Sequence, residues 1–88
     1  MRFCLDLSHQ TWRRATDPEA AVEDTLRAIR IADIAGVDAA WLSEDPDGWD
    51  AFAVLGAAAR QTTRIRLGTG VTNPYIRHPS LLAMSVAT

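Results

Sequence analysis

The sequence has 88 residues and a formal net charge of −2, enough for one small domain and too few for two. Apolar residues make up 48% of it, which predicts a packed core and excludes a disordered chain. The slight acidity offers no electrostatic footprint for nucleic acid, and no apolar run approaches membrane-spanning length.

At the N-terminus Phe3, Leu5 and Leu7 alternate with Cys4, Asp6 and Ser8, and period two predicts a strand over Arg2–Ser8. The start lacks the basic region, apolar stretch and cleavage site of a signal peptide. Cys4 is the only cysteine, so it forms no internal disulfide. It is expected as a buried packing residue of a reduced, cytoplasmic protein. Residues 8–16 read as a polar loop. Asp17-Pro18 then reads as a helix start, with the carboxylate as cap and proline in the first turn. Val22, Leu26 and Ile29 share one helical face, and Gly36 is the stop.

A short apolar run, Asp38–Ser43, predicts the second strand. After a turn-rich stretch, Asp50 caps a second helix carrying Phe52, Val54, Leu55 and Ala59 and ending near Gln61. Ile65, Leu67 and Val71 belong to a third strand over Arg64–Val71. His78-Pro79 opens a third helix with Leu81, Leu82 and Met84 as apolar contacts.

Strand–helix alternation predicts an α/β fold with a parallel sheet. Three parallel strands leave two long unpaired edges, and three helices cover both faces of the sheet poorly. A complete eight-unit barrel needs roughly 250 residues. The expectation is therefore an incomplete barrel: residues 1–88 as a single partial domain, the first three βα units of a TIM (β/α)8 barrel.

Three stretches carry chemistry. Gly68 and Gly70 fall near the C-terminal end of the third strand, where glycine marks a bulge, a bend or a close approach by a ligand. The nucleotide fingerprint G-x-G-x-x-G fails at its third position, which is Asn73. In "SEDPDGW", Glu44 and Asp45 end the second strand, at the end where α/β folds bind ligands. An acidic turn capped by Asp50 is the plainer reading of residues 45–50. Trp49 either closes over a flat ligand or plugs the core. In "NPYIRHP", Arg77 and His78 stand at a helix N-terminus, which attracts anions. A cap is the plainer duty of His78. His9 and His78 show no metal-ligand spacing.

"RIRLGTGVTNPYIRHPSLLA", Arg64 to Ala83, resembles the third-strand signature of the luciferase-like monooxygenase superfamily, most closely its branch using the deazaflavin coenzyme F420, such as the methylenetetrahydromethanopterin reductases. The order of elements agrees over nearly all of the chain. The resemblance implies a barrel holding a flavin-like ring at its C-terminal face, with F420 as cofactor and FMN as the alternative. It implies a bulge backing the ring, with a non-proline cis peptide matching Gly70–Val71, and polar contacts from Thr72 and Asn73. Glu44 and Trp49 match the acid and the tryptophan that follow strand two, so both are expected at the cofactor.

Some F420-dependent members carry a histidine directly after that acid, and here Asp45 stands in its place. An aspartate of ordinary pKa, about 3.9, is ionised at neutral pH and donates no proton unless that pKa is raised. Reductase or monooxygenase chemistry stays open. Asp45 and His9 are the candidate catalytic residues near substrate. The functional expectation is the N-terminal part of a luciferase-like F420- or FMN-dependent oxidoreductase acting on a small organic substrate. Its partners would be a second copy or the remaining barrel portion. The alternative is a non-catalytic truncated remnant, or one chain of a split barrel.

Overall fold

A computed structural model describes residues 1–7, 17–44 and 49–88. In chain order they form β1 (Cys4–Asp6), α1 (Pro18–Ala35), β2 (Ala39–Leu42), α2 (Ala51–Gln61), β3 (Arg66–Thr69) and α3 (Pro79–Ala87). The strands form one sheet in the order β1-β2-β3, and both pairings are parallel. The alternation is the one read from the sequence. Each strand is shorter than its apolar pattern, because ladder pairing ends before the alternation does.

The helix ends follow from their capping residues. Asp17 Oδ1 accepts from the Ala20 N–H at 3.2 Å, with Pro18 opening α1. Gly36 closes α1 at φ 92°, a left-handed conformation that L side chains rarely adopt. Asp50 Oδ1 accepts from the Phe52 and Ala53 N–H groups at 2.9 and 3.2 Å and so caps α2. His78 Nδ1 accepts from the Ser80 N–H at 3.2 Å, so His78 is the cap of α3.

Register sorts the sheet into two faces. Leu5, Ala40 and Leu67 are cross-strand partners and pack with the helices. The core there is built from Leu26 and Ile29 of α1, Ala40 and Leu42 of β2, and Val54 and Ala58 of α2. Asp6, Trp41 and Gly68 are the next row of partners, and they occupy the opposite face. Cys4 belongs to that opposite face too. It is exposed rather than buried, because Leu5 takes the helix-facing side and alternation sends its neighbour away. A second correction concerns α3, which buries no residue. Leu81 and Met84 are 45% and 63% exposed, so they are not the core contacts that their apolar pattern suggests.

At the N-terminal end of the sheet, Asp33 of α1 ties down the chain entering β3. Its carboxylate accepts from the Thr63, Arg64 and Ile65 N–H groups at 3.0, 3.0 and 2.7 Å, and from Thr63 Oγ1 at 3.3 Å. Arg64 returns the contact by donating to the Asp33 carbonyl at 3.1 Å. These donors hold the Asp33 carboxyl below its ordinary pKa, the Thr63 N–H first among them. Among the described residues no helix is long and apolar enough to cross a membrane.

Candidate functional site

The C-terminal ends of β2 and β3 stay joined beyond their last ladder residues. The Gly70 N–H donates to the Leu42 carbonyl at 2.7 Å, and the Glu44 N–H donates to the Val71 carbonyl at 3.0 Å. Between these two bonds lies the Gly70–Val71 peptide, which is cis, at the position the resemblance implies. The Val71 side chain is 74% exposed. Thr72 and Asn73 follow it half-buried.

Glu44 is only 6% exposed, and a buried carboxylate must be paired and hydrogen-bonded to be tolerated. Here it is. Oε1 accepts from Thr72 Oγ1 at 2.9 Å, the Asn73 N–H at 3.4 Å and Arg77 Nε at 3.2 Å. Oε2 accepts from the Ala51 N–H at 3.2 Å and Arg77 Nη2 at 2.5 Å. The fork of Arg77 therefore meets the carboxylate with two nitrogens, the geometry that makes arginine–carboxylate pairs strong and directional. The Arg77 pair, opposed by burial and helped by Thr72 and the two backbone donors, lowers the Glu44 pKa from 4.5 to about 2. The same pair raises the Arg77 pKa, so both groups are ionised across the physiological range.

Arg77 Nη2 also reaches Asp50 Oδ1 at 2.8 Å, so the cap of α2 doubles as a second counter-ion. The guanidinium lies over the Phe52 ring, 4.9 Å from its centroid, within cation–π range. One cation thus joins the end of β2, the first turn of α2 and the segment between β3 and α3.

The two glycines have a common neighbour that sequence spacing does not reveal. Gly68 pairs with Trp41 across the β2–β3 ladder. A Cβ on Gly68 would stand 2.5 Å from Trp41 Cζ3, so the indole occupies the place of a side chain there. A Cβ on Gly70 would meet the same tryptophan at an ordinary 3.8 Å and nothing closer. A side chain on Gly68 would have to displace the indole, whereas one on Gly70 would begin in ordinary contact with it.

Glu44, Gly70, Val71, Thr72 and Asn73 therefore lie together at one end of the sheet. Trp49 is a core residue, 7% exposed. Its indole N–H donates to the Ser43 carbonyl at 3.1 Å, which anchors the chain leaving β2. Of the two openings read for Trp49, the plug of the core is the one observed. Asp45 and His9 lie outside the described residues. Arg77 was read from the sequence only as a charge near a helix start. Its carboxylate partner is 33 residues away in sequence, and no local pattern signals such a pairing.

The chain matches the family described as "Luciferase-like monooxygenase" over residues 1–88. It is 40% identical over 60 residues to the 5,10-methylenetetrahydromethanopterin reductase of Methanopyrus kandleri, covering 68% of this chain and 17% of that protein. It is 36% identical over 71 residues to the protein of that name from Methanolobus tindarius, covering 81% and 22%. It is 34% identical over 84 residues to the F420-dependent glucose-6-phosphate dehydrogenase of Beutenbergia cavernae, covering 85% and 25%. The chain thus spans 17–25% of the length of these curated relatives. With a family match over its whole length and a parallel βα sheet, the chain belongs to the luciferase-like monooxygenase family.

Proposed function

We propose that this chain supplies the opening βα units of a barrel oxidoreductase that uses coenzyme F420 to transfer hydride to or from a small organic substrate. The observation that carries the reading is the surface at the ends of β2 and β3. Exposed Val71 stands beside a glycine that presents no side chain, and Thr72 and Asn73 lie next in line. A flat ring with an apolar body and polar edges fits such a surface. The F420 dependence printed in the name of the Beutenbergia relative supports the choice of cofactor.

When bound, F420 supplies the hydride-carrying carbon of the reaction. The chain's part is to hold and orient it. Val71 gives an apolar rest for the ring, and the missing side chain of Gly70 lets the ring come close. Asn73 Oδ1 accepts from the Tyr75 N–H at 3.0 Å, leaving its NH2 as the donor end toward a ring-edge carbonyl. Thr72 Oγ1 donates to Glu44 and keeps its acceptor capacity. The proton that accompanies hydride transfer is assigned to no described residue. Asp45 and His9 are proposed near the substrate, and an ionised Asp45 would not donate that proton.

The test is titration of F420, and separately FMN, into the whole protein and its Gly70→Leu variant. An added Cβ at Gly70 meets Trp41 at an ordinary 3.8 Å, so the substitution begins without a clash in the chain and adds bulk beside Val71. F420 binding that is lost or weakened at least ~10-fold, about 1.4 kcal/mol, is the expected result. Equal affinity in parent and variant removes Gly70 from the site. FMN bound in preference to F420 replaces the cofactor, and binding of neither overturns the reading.

A further inference from the structure

Glu44 matches a position expected to touch the cofactor, yet its carboxylate is already saturated. A carboxylate offers about four lone-pair sites. Donors from Ala51, Thr72 and Asn73 and two nitrogens of Arg77 converge on it at 2.5–3.4 Å. Its side chain is 1% exposed, so no edge faces a ligand. The Glu44 N–H meanwhile holds the Val71 carbonyl. One residue therefore grips the chain at Val71, Thr72, Asn73 and Arg77.

Resting on the F420 reading above, we infer that Glu44 and Arg77 are positioning residues that lock the 71–77 segment against the start of α2 and so set the wall on which the ring lies, without touching it. The lock is directional. The planar fork of Arg77 spends Nε and Nη2 on Glu44 while Nη2 also meets Asp50, and its face rests on Phe52. A lysine carries the charge but not the fork or the stacking plane. On this inference the buried pair's role is to fix geometry rather than to add stability.

The experiment measures the F420 dissociation constant of the whole protein, of Arg77→Lys, of Glu44→Gln and of the double variant, by the cofactor's own fluorescence. Each single change is expected to weaken binding by roughly ten- to a hundredfold, the size of a charge-assisted hydrogen bond. The double variant should be no weaker than the worse single one, because both remove the same lock. Multiplying effects would place Glu44 directly on the cofactor and overturn the inference. Asp33→Asn, a change at the far end of the sheet, should leave the affinity unchanged. A comparable loss there would reduce the effect to general destabilisation.

If the charge variants do not fold, Phe52→Leu removes the ring beneath the guanidinium and leaves both charges. It should weaken F420 binding by roughly two- to tenfold, and unchanged affinity overturns the inference. Hydrogen exchange of the Asn73 and Ala51 amides reads the lock without any cofactor. Faster exchange in Arg77→Lys is expected, and unchanged exchange retires the lock. Faster exchange in a protein that ignores F420 retires the functional reading and, with it, the lock's link to a ring.

Discussion

Asp33 and Glu44 stand at opposite ends of one small sheet, and each gathers several donors onto one carboxylate. Asp33, at the N-terminal end, takes backbone N–H groups from three consecutive residues and one hydroxyl. Glu44, at the C-terminal end, takes an arginine fork, a hydroxyl and two backbone N–H groups from separate segments. Both carboxyl groups have lowered pKa values. Asp33 secures a turn with neutral donors in a solvated position. Glu44 is a buried anion that requires a buried cation. A clamp of the first kind can be lost gradually. One of the second kind fails at once, because removing either partner strands a charge. In α/β barrels the C-terminal face carries catalysis and the N-terminal face carries stability, and under the proposed function the costlier clamp lies at the end that would hold the cofactor.

The largest expected effect comes from breaking the costlier clamp. Arg77→Met keeps the bulk of the side chain and removes its charge, leaving Glu44 buried without a counter-ion. Denaturant unfolding should show a loss of about 3–5 kcal/mol, a large share of an ordinary domain's stability of about 5–15 kcal/mol. A loss below about 1 kcal/mol would mean that water reaches Glu44 and that the two clamps are alike.

Acid titration gives a smaller and more graded signal. The folded-state pKa of Glu44 is depressed from 4.5 to about 2, so its contribution is complete above the higher value and is lost as pH falls toward the lower. Stability should therefore decline between about pH 4.5 and pH 2, with Asp33 adding a drop of the same sign as it too is protonated. In Glu44→Gln the Glu44 share of that slope should vanish while the Asp33 share persists. A slope equal to the parent's would assign the acid sensitivity elsewhere.

Much of this comparison could not be read from the sequence. Features governed by neighbours were legible: the caps at Asp17, Asp50 and His78, the stop at Gly36, and the order of strands and helices. So was the cis peptide at Gly70–Val71, through the family resemblance. What the sequence hid depends on distant partners. Arg77 finds Glu44 across 33 residues, Asp33 finds Thr63 across 30, and Trp41 fills the place above Gly68 only because β2 and β3 pair in that register. Cys4 was misplaced for a related reason. Alternation predicts two faces, but which one meets the helices is settled by packing.

The smallest effect should come from Asp33→Asn, and it is the change that most cleanly separates the two ends. An asparagine keeps the shape and one acceptor oxygen. Oδ1 can still receive the Arg64 and Ile65 N–H groups, which now bond to Asp33 Oδ1 at 3.0 and 2.7 Å. The amide NH2 would then face the Thr63 N–H and hydroxyl, which now bond to Oδ2; the hydroxyl oxygen can accept from it, but it cannot serve the N–H. Water can, because the site is solvated, so no buried group is left unpaired. A modest fall in melting temperature is expected, smaller than for Arg77→Met, with faster hydrogen exchange confined to Thr63 and its neighbours. The Asn73 amide, held by Glu44 at the other end, should exchange at the parent rate. Faster exchange at Asn73 would show that the two clamps are coupled through the sheet rather than independent.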